Sequence, residues 1–128
     1  MSDSPLSPSA EALAAFGNNP DHGRVVMLNL LKFKPGGGSR VYARYSEAFQ
    51  QLLEQHGGRF VYLGRGAEVL VGDQSWDAVA LVEYPSRAVF LRVIGLPEYA
   101  AMAQWREEGL ERTVLLATTP RVAPVAGA

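Results

Sequence analysis

Three short runs of this chain are apolar at consecutive positions: Val25, Val26, Met27 and Leu28; then Ala78, Val79, Ala80, Leu81 and Val82; then Val114, Leu115, Leu116 and Ala117. Each has the length and the β-branched content of a strand. Successive side chains on a strand point to opposite faces of its sheet, so a strand with one wet face alternates apolar and polar residues. These runs do not alternate, and both faces of the sheet they build must therefore be covered.

The segments between them set the order of elements. Residues 24–34 read as a first strand closed by Pro35-Gly36-Gly37-Gly38, and a helix follows from a Ser39 cap to Gly57-Gly58. Val41, Tyr45, Ala48, Phe49, Leu52 and His56 share one stripe of that helix at 3.6-residue spacing and face the sheet. Residues 59–71 read as a second strand, with a bulge or bend expected at Gly64 and Gly66. Residues 76–84 form the third, and a helical stretch opened by Pro85-Ser86 is interrupted at Gly95-Leu96-Pro97. Residues 112–119 form the last strand.

This β-α-β-β-α-β order predicts an α+β fold of ferredoxin-like type, an antiparallel four-stranded sheet with its helices on one face. The domain spans residues 24–119. Residues 1–23 are an N-terminal arm with a short helix capped by Ser7, begun at Pro8, stopped at Gly17-Asn18 and pinned by Leu13 and Phe16; residues 120–128 are a frayed tail. Helices on one face leave the other bare, so a homodimer formed by packing two sheets face to face is expected. The alternative is cover by the arm and tail in a monomer.

With 128 residues the chain fits one domain, and its composition is ordinary for a globular protein. The lack of cysteine excludes disulfides, thiolate nucleophiles and zinc–thiolate sites. A net charge of −1 argues against nucleic acid and anionic lipid as partners. No apolar run approaches the roughly 18 residues of a membrane span, and the N-terminus lacks a secretory pattern, which makes the cytoplasm the expected compartment. The only histidines, His22 and His56, lie on different elements and make no metal site. Pro35-Gly36-Gly37-Gly38-Ser39 lacks the lysine of a phosphate loop, and Gly58-Arg59-Phe60-Val61-Tyr62 lacks the full aromatic pattern of an RNA-binding strand. No cofactor is expected.

The run Val25 to Lys34, Tyr42 and Tyr45, His56-Gly57-Gly58-Arg59, Gly64-Arg65-Gly66, the turn at Trp76, Glu83-Tyr84-Pro85-Ser86, Leu96-Pro97-Glu98-Tyr99 and Arg106 together resemble an uncharacterised domain-of-unknown-function family of the dimeric α+β barrel superfamily. The resemblance covers roughly residues 24–119. It implies a ferredoxin-like protomer and a barrel-like dimer. The superfamily also contains cofactor-free monooxygenases, lactone isomerases, haem-using enzymes and members of no known reaction.

Arg106 stands out among the candidate functional residues because it shares a helical line with Tyr99 and Met102 and so points inward. An inward guanidinium needs an acceptor: either a ligand carboxylate, phenolate or enolate, or a structural partner such as Glu83. Tyr45 and His56 lie about 16 Å apart on their helix. Tyr45 either offers its hydroxyl to a pocket or packs in the core, whereas His56 either moves a proton or caps the helix end. Asn29 interrupts an apolar strand face and must be hydrogen-bonded. Arg65, between two glycines, is either re-aimed by a bulge or part of a simple bend, and Trp76 either roofs a pocket or anchors a hairpin. These residues predict a pocket between helices and sheet, lined by Asn29, Tyr45, Arg65, Tyr99 and Arg106. Its expected ligand is a compact aromatic or enolisable organic acid, bound with or without cofactor-free chemistry. A non-catalytic binding protein with purely structural inward polar groups is the other reading.

Overall fold

The structure, a computed structural model, describes residues 5–121. The elements run α1 (Ala10–Asn18), β1 (Val25–Phe33), α2 (Gly38–Gln55), β2 (Arg59–Arg65), β3 (Ala78–Tyr84), α3 (Arg87–Ile94), α4 (Pro97–Gly109) and β4 (Leu110–Thr118). The four strands form one antiparallel sheet in the order β2-β3-β1-β4. Apart from α1 and the split of the second crossover into α3 and α4, this is the ferredoxin-like arrangement expected.

Sheet register divides the side chains cleanly. Val25 lies opposite Tyr84, Met27 opposite Val82 and Ala117, and Asn29 opposite Ala80 and Leu115, so these residues share one face. That face meets Tyr45, Phe49, Leu52 and Leu53 of α2, Phe90 and Val93 of α3, and Met102 of α4 in the core. The other face carries Leu28 opposite Leu81 and Leu116, and Leu30 opposite Val79 and Val114. Leu116 is 52% exposed and Val114 38%. The doubly apolar strands thus have one face under the helices and one uncovered in the single chain.

Several local expectations are corrected. The cap of α1 is Ser9, whose Oγ accepts from Ala12 N at 3.0 Å; the Ser7 hydroxyl instead donates to Glu107 Oε2 at 2.7 Å. Helix α2 begins at Gly38, behind a left-handed Gly37 (φ 113°) that supplies no side-chain cap, so Ser39 lies inside the helix. Strand β2 ends at Arg65 rather than at residue 71, because Gly66 N bonds to Asp77 O at 3.0 Å and closes the pairing there. The irregularity of β2 falls between Phe60 and Tyr62, ahead of the two glycines. Strand β4 starts two residues earlier than expected, where fully buried Leu110 pairs with Phe33 beyond a register shift in β1. Of the expected tail, residues 122–128 lie outside the described residues.

Helices α2 and α4 approach each other closely at a pair of glycines. A Cβ on Gly38 would sit 2.6 Å from Gly109 O, and one on Gly109 would sit 2.7 Å from Gly38 O. Lys34 N donates to the same Gly109 carbonyl at 2.9 Å, tying the end of β1 to the junction. This contact sets the position of α4, and with it Tyr99 and Arg106, over the sheet.

Candidate functional site

Between the helices and the inner face of the sheet lies a cavity of about 260 Å³. Its sheet floor is Met27, Asn29, Phe60, Ala80, Val82 and Leu115; its roof includes Tyr42, Tyr45 and Phe49 of α2 and Tyr99, Ala103 and Arg106 of α4. Spacing explains both helical contributions. Positions 42, 45 and 49 recur at three and four residues along α2, and positions 99, 102 and 106 do so along α4, so each set forms one inward line.

Aromatic rings dominate. Four of the five tyrosines, Tyr42, Tyr45, Tyr84 and Tyr99, line the cavity. Tyr45 stacks on Phe49 with centroids 5.5 Å apart, and Tyr99 meets both rings edge-on at 6.2 and 6.0 Å. Edge-to-face and offset pairs of this kind add to the burial energy of each ring. The Tyr45 and Tyr99 hydroxyls are hydrogen-bonded at 3.3 Å.

Burial pushes the Tyr42 phenol up to about 12, with Arg106 opposing the rise. Burial raises Tyr45 well above the ordinary phenol range, reinforced by the neighbouring Tyr99 and Tyr42, and it raises Tyr84 strongly too. The cause is the same in each case: a phenolate loses its hydration in an apolar site. These groups stay protonated at neutral pH and serve as hydrogen-bond donors rather than as bases.

Arg106 is the one buried charged residue of the described core, 7% exposed. Its expected structural partner is elsewhere. Glu83 lies on the other side of the sheet, opposite Val26, and is paired with Arg24 and with Arg59 Nε at 2.9 Å. Among the described residues the Arg106 guanidinium bonds instead to the Leu6 carbonyl, through Nη1. A guanidinium carries five N–H donors in a fork, and the Leu6 carbonyl takes one of them. Asn29 lines the floor, with its Nδ2 donating to Met27 O at 3.2 Å.

The structure brings together Asn29, Tyr45, Tyr99 and Arg106 as expected, and excludes Arg65, which is exposed at the end of β2. His56, Trp76 and Glu83 do not line the cavity either. His56 is the C-cap of α2, its backbone N–H bonding Leu53 O at 3.0 Å. Trp76 stacks under the Arg112 guanidinium, 4.4 Å from ring centroid to Cζ, where it anchors the β2–β3 connection. Sequence reasoning gave no site role to Tyr42, Tyr84 or Glu107. The first two had a signal, since Tyr42 lies one turn before Tyr45 and Tyr84 continues the inner alternation of Ala80 and Val82. The Leu6 carbonyl, a backbone atom 100 positions from Arg106, had none.

Among the described residues no group of three or more His, Asp or Glu is placed to hold a metal ion, and no helix is long and apolar enough to cross a membrane.

Fold and cavity together define a ferredoxin-like α+β protein with an aromatic interior cavity that Arg106 and Glu107 also line. The family described as a domain of unknown function, DUF1330, matches residues 38–119, and the chain belongs to it. A protein of unknown function from Rhodopseudomonas palustris is 31% identical, covering 92% of this chain and 98% of that one with a TM-score of 0.87. A dimeric ferredoxin-like protein of unknown function from Jannaschia shares the fold at 12% identity and a TM-score of 0.64, covering 77% of this chain and all of that one. A Bacteroides thetaiotaomicron protein described as a candidate antibiotic biosynthesis monooxygenase does so at 14% identity and a TM-score of 0.57, with coverages of 83% and 97%. No curated protein matches.

Proposed function

We propose that this protein binds a compact, aromatic or enolisable organic acid in the cavity under α2 and α4, with its anionic oxygens on Arg106. The observation that carries this reading is a buried guanidinium beside an aromatic cavity, with the candidate partner Glu83 engaged on the opposite face. A neutral carbonyl satisfies only one of its donors, and a carboxylate or enolate taken bidentately is the stronger acceptor. Asn29 and the protonated phenols of Tyr45 and Tyr99 supply neutral hydrogen bonds, which suit the stabilisation of developing negative charge without a cofactor.

The working unit in this reading is a homodimer. Leu28, Leu30, Leu81 and Leu116 form an apolar outer sheet face that a second copy would cover symmetrically, and one protein of the same fold is described as dimeric.

Phenylpyruvate, an aromatic and enolisable acid, tests the site by calorimetry and thermal shift. Wild type is expected to bind it and to melt higher in its presence, and Arg106→Gln to lose binding by tenfold or more, the scale of one charge-assisted hydrogen bond. Equal affinities in the two proteins would remove Arg106 from the site and the reading with it.

A further inference from the structure

A second cavity, about 310 Å³, lies against the N-terminal arm. It shares Ser7, Pro8, Leu13, Met27, Phe90 and Leu115 with the first. Met27, Phe90 and Leu115 therefore line both, as does the Ser7-Pro8 segment, a strap from the N-terminal arm. Two interactions at the end of α4 hold the strap: Ser7 Oγ donates to Glu107, and Arg106 donates to Leu6 O.

The two halves differ in chemistry. Arg106 and Glu107, the charged residues of the lining, belong to the first cavity only. The second is walled by Pro5, Leu6, Ala12, Phe16 and Ala117, and its Thr113 hydroxyl already donates to Leu30 O at 2.7 Å. The side chains of Pro5, Leu6, Ala12, Phe16 and Ala117 offer no hydrogen bond, so an apolar group gains from burial against them. The first cavity alone falls just below the roughly 300–1,000 Å³ of small-molecule sites, and a ligand that reached both would occupy a site within that range.

We infer that the second cavity is a tail subsite: the ligand is an enolisable acid with an unbranched apolar tail, its head at Arg106 and its tail passing the Ser7-Pro8 strap towards Ala117. This rests on the reading of Arg106 as the anion site and names the ligand class more closely.

The test is calorimetry on the full chain with 2-oxo acids from 2-oxobutanoate to 2-oxodecanoate, and with 1-octanol as an uncharged probe. Wild type should gain affinity with tail length, by up to roughly fourfold per added methylene until the subsite is full. Ala117→Leu, which narrows the second cavity alone, should abolish that gain while leaving 2-oxobutanoate binding unchanged. Its circular dichroism and melting profile report whether it folds, and Ala12→Phe fills the same cavity from an exposed helix position if it does not. Affinity independent of tail length, or equal for long acids in wild type and the filled variants, overturns the tail subsite and leaves the Arg106 reading standing. If 1-octanol binds and is blocked by Ala117→Leu while no acid prefers wild type over Arg106→Gln, the apolar subsite is supported and the anion site is what fails.

Discussion

Arg106 and its surroundings show how far a single residue can be read. Helical spacing alone turns it inward with Tyr99, and the structure bears this out, yet its acceptor is a backbone carbonyl on the arm rather than the expected Glu83. The phenols beside it lead to two expectations. Tyr45→Phe removes the hydroxyl bonded to Tyr99, and should lower stability by about 1 kcal/mol in urea unfolding, the usual worth of one such bond. The second expectation concerns alkali. Folding raises Tyr42 from 10.0 to about 12, and raises Tyr45 and Tyr84 as well. As pH climbs past 10 the unfolded chain therefore releases phenolic protons that the folded chain keeps. Their stabilising effect is fully present below that pH and is lost as pH rises through the folded values. Chemical denaturation repeated at increasing pH should show stability falling steadily from about pH 10 to 12; a flat profile across that window contradicts buried, protonated phenols.

At the scale of elements, composition and period marked every strand and helix, while their ends depended on contacts. The Ser86 cap and Pro97 start of α3 and α4 were legible because capping chemistry is local. The end of β2 was not, since the pattern of residues 67–71 is as apolar as a strand and only pairing distinguishes them: Leu70 and Val71 are 91% and 96% exposed. Helix placement carries its own prediction. Gly38→Ala and Gly109→Ala each drive a methyl into backbone of the facing helix, which should cost about 1–3 kcal/mol apiece in thermal or urea melts. Both relieve the clash by moving the same helices apart, so the double variant should lose less than the sum. Strict additivity would mean that the two helices do not share this contact.

For the whole molecule, the proposed dimer rests on what the sheet leaves bare. Leu116, 52% exposed in the single chain, can carry a charge there without disturbing the protomer. Leu116→Lys should shift the solution mass from dimer to monomer in analytical ultracentrifugation while leaving the circular dichroism spectrum unchanged. A wild type that sediments as a monomer at micromolar concentration removes the dimer. By itself the sequence determined the fold class, the inward lines of α2 and α4 and the doubly apolar strands, because periodicity and capping act over one or two turns of chain. Tertiary structure alone decided which polar residues meet. Asn29, Tyr45, Tyr99 and Arg106 converge on one cavity, while His56, Arg65, Trp76 and Glu83 are carried elsewhere by strand register and helix ends. The Leu6 carbonyl that meets Arg106 also belongs to tertiary structure, since a backbone carbonyl is the same in every residue and leaves no mark in the sequence.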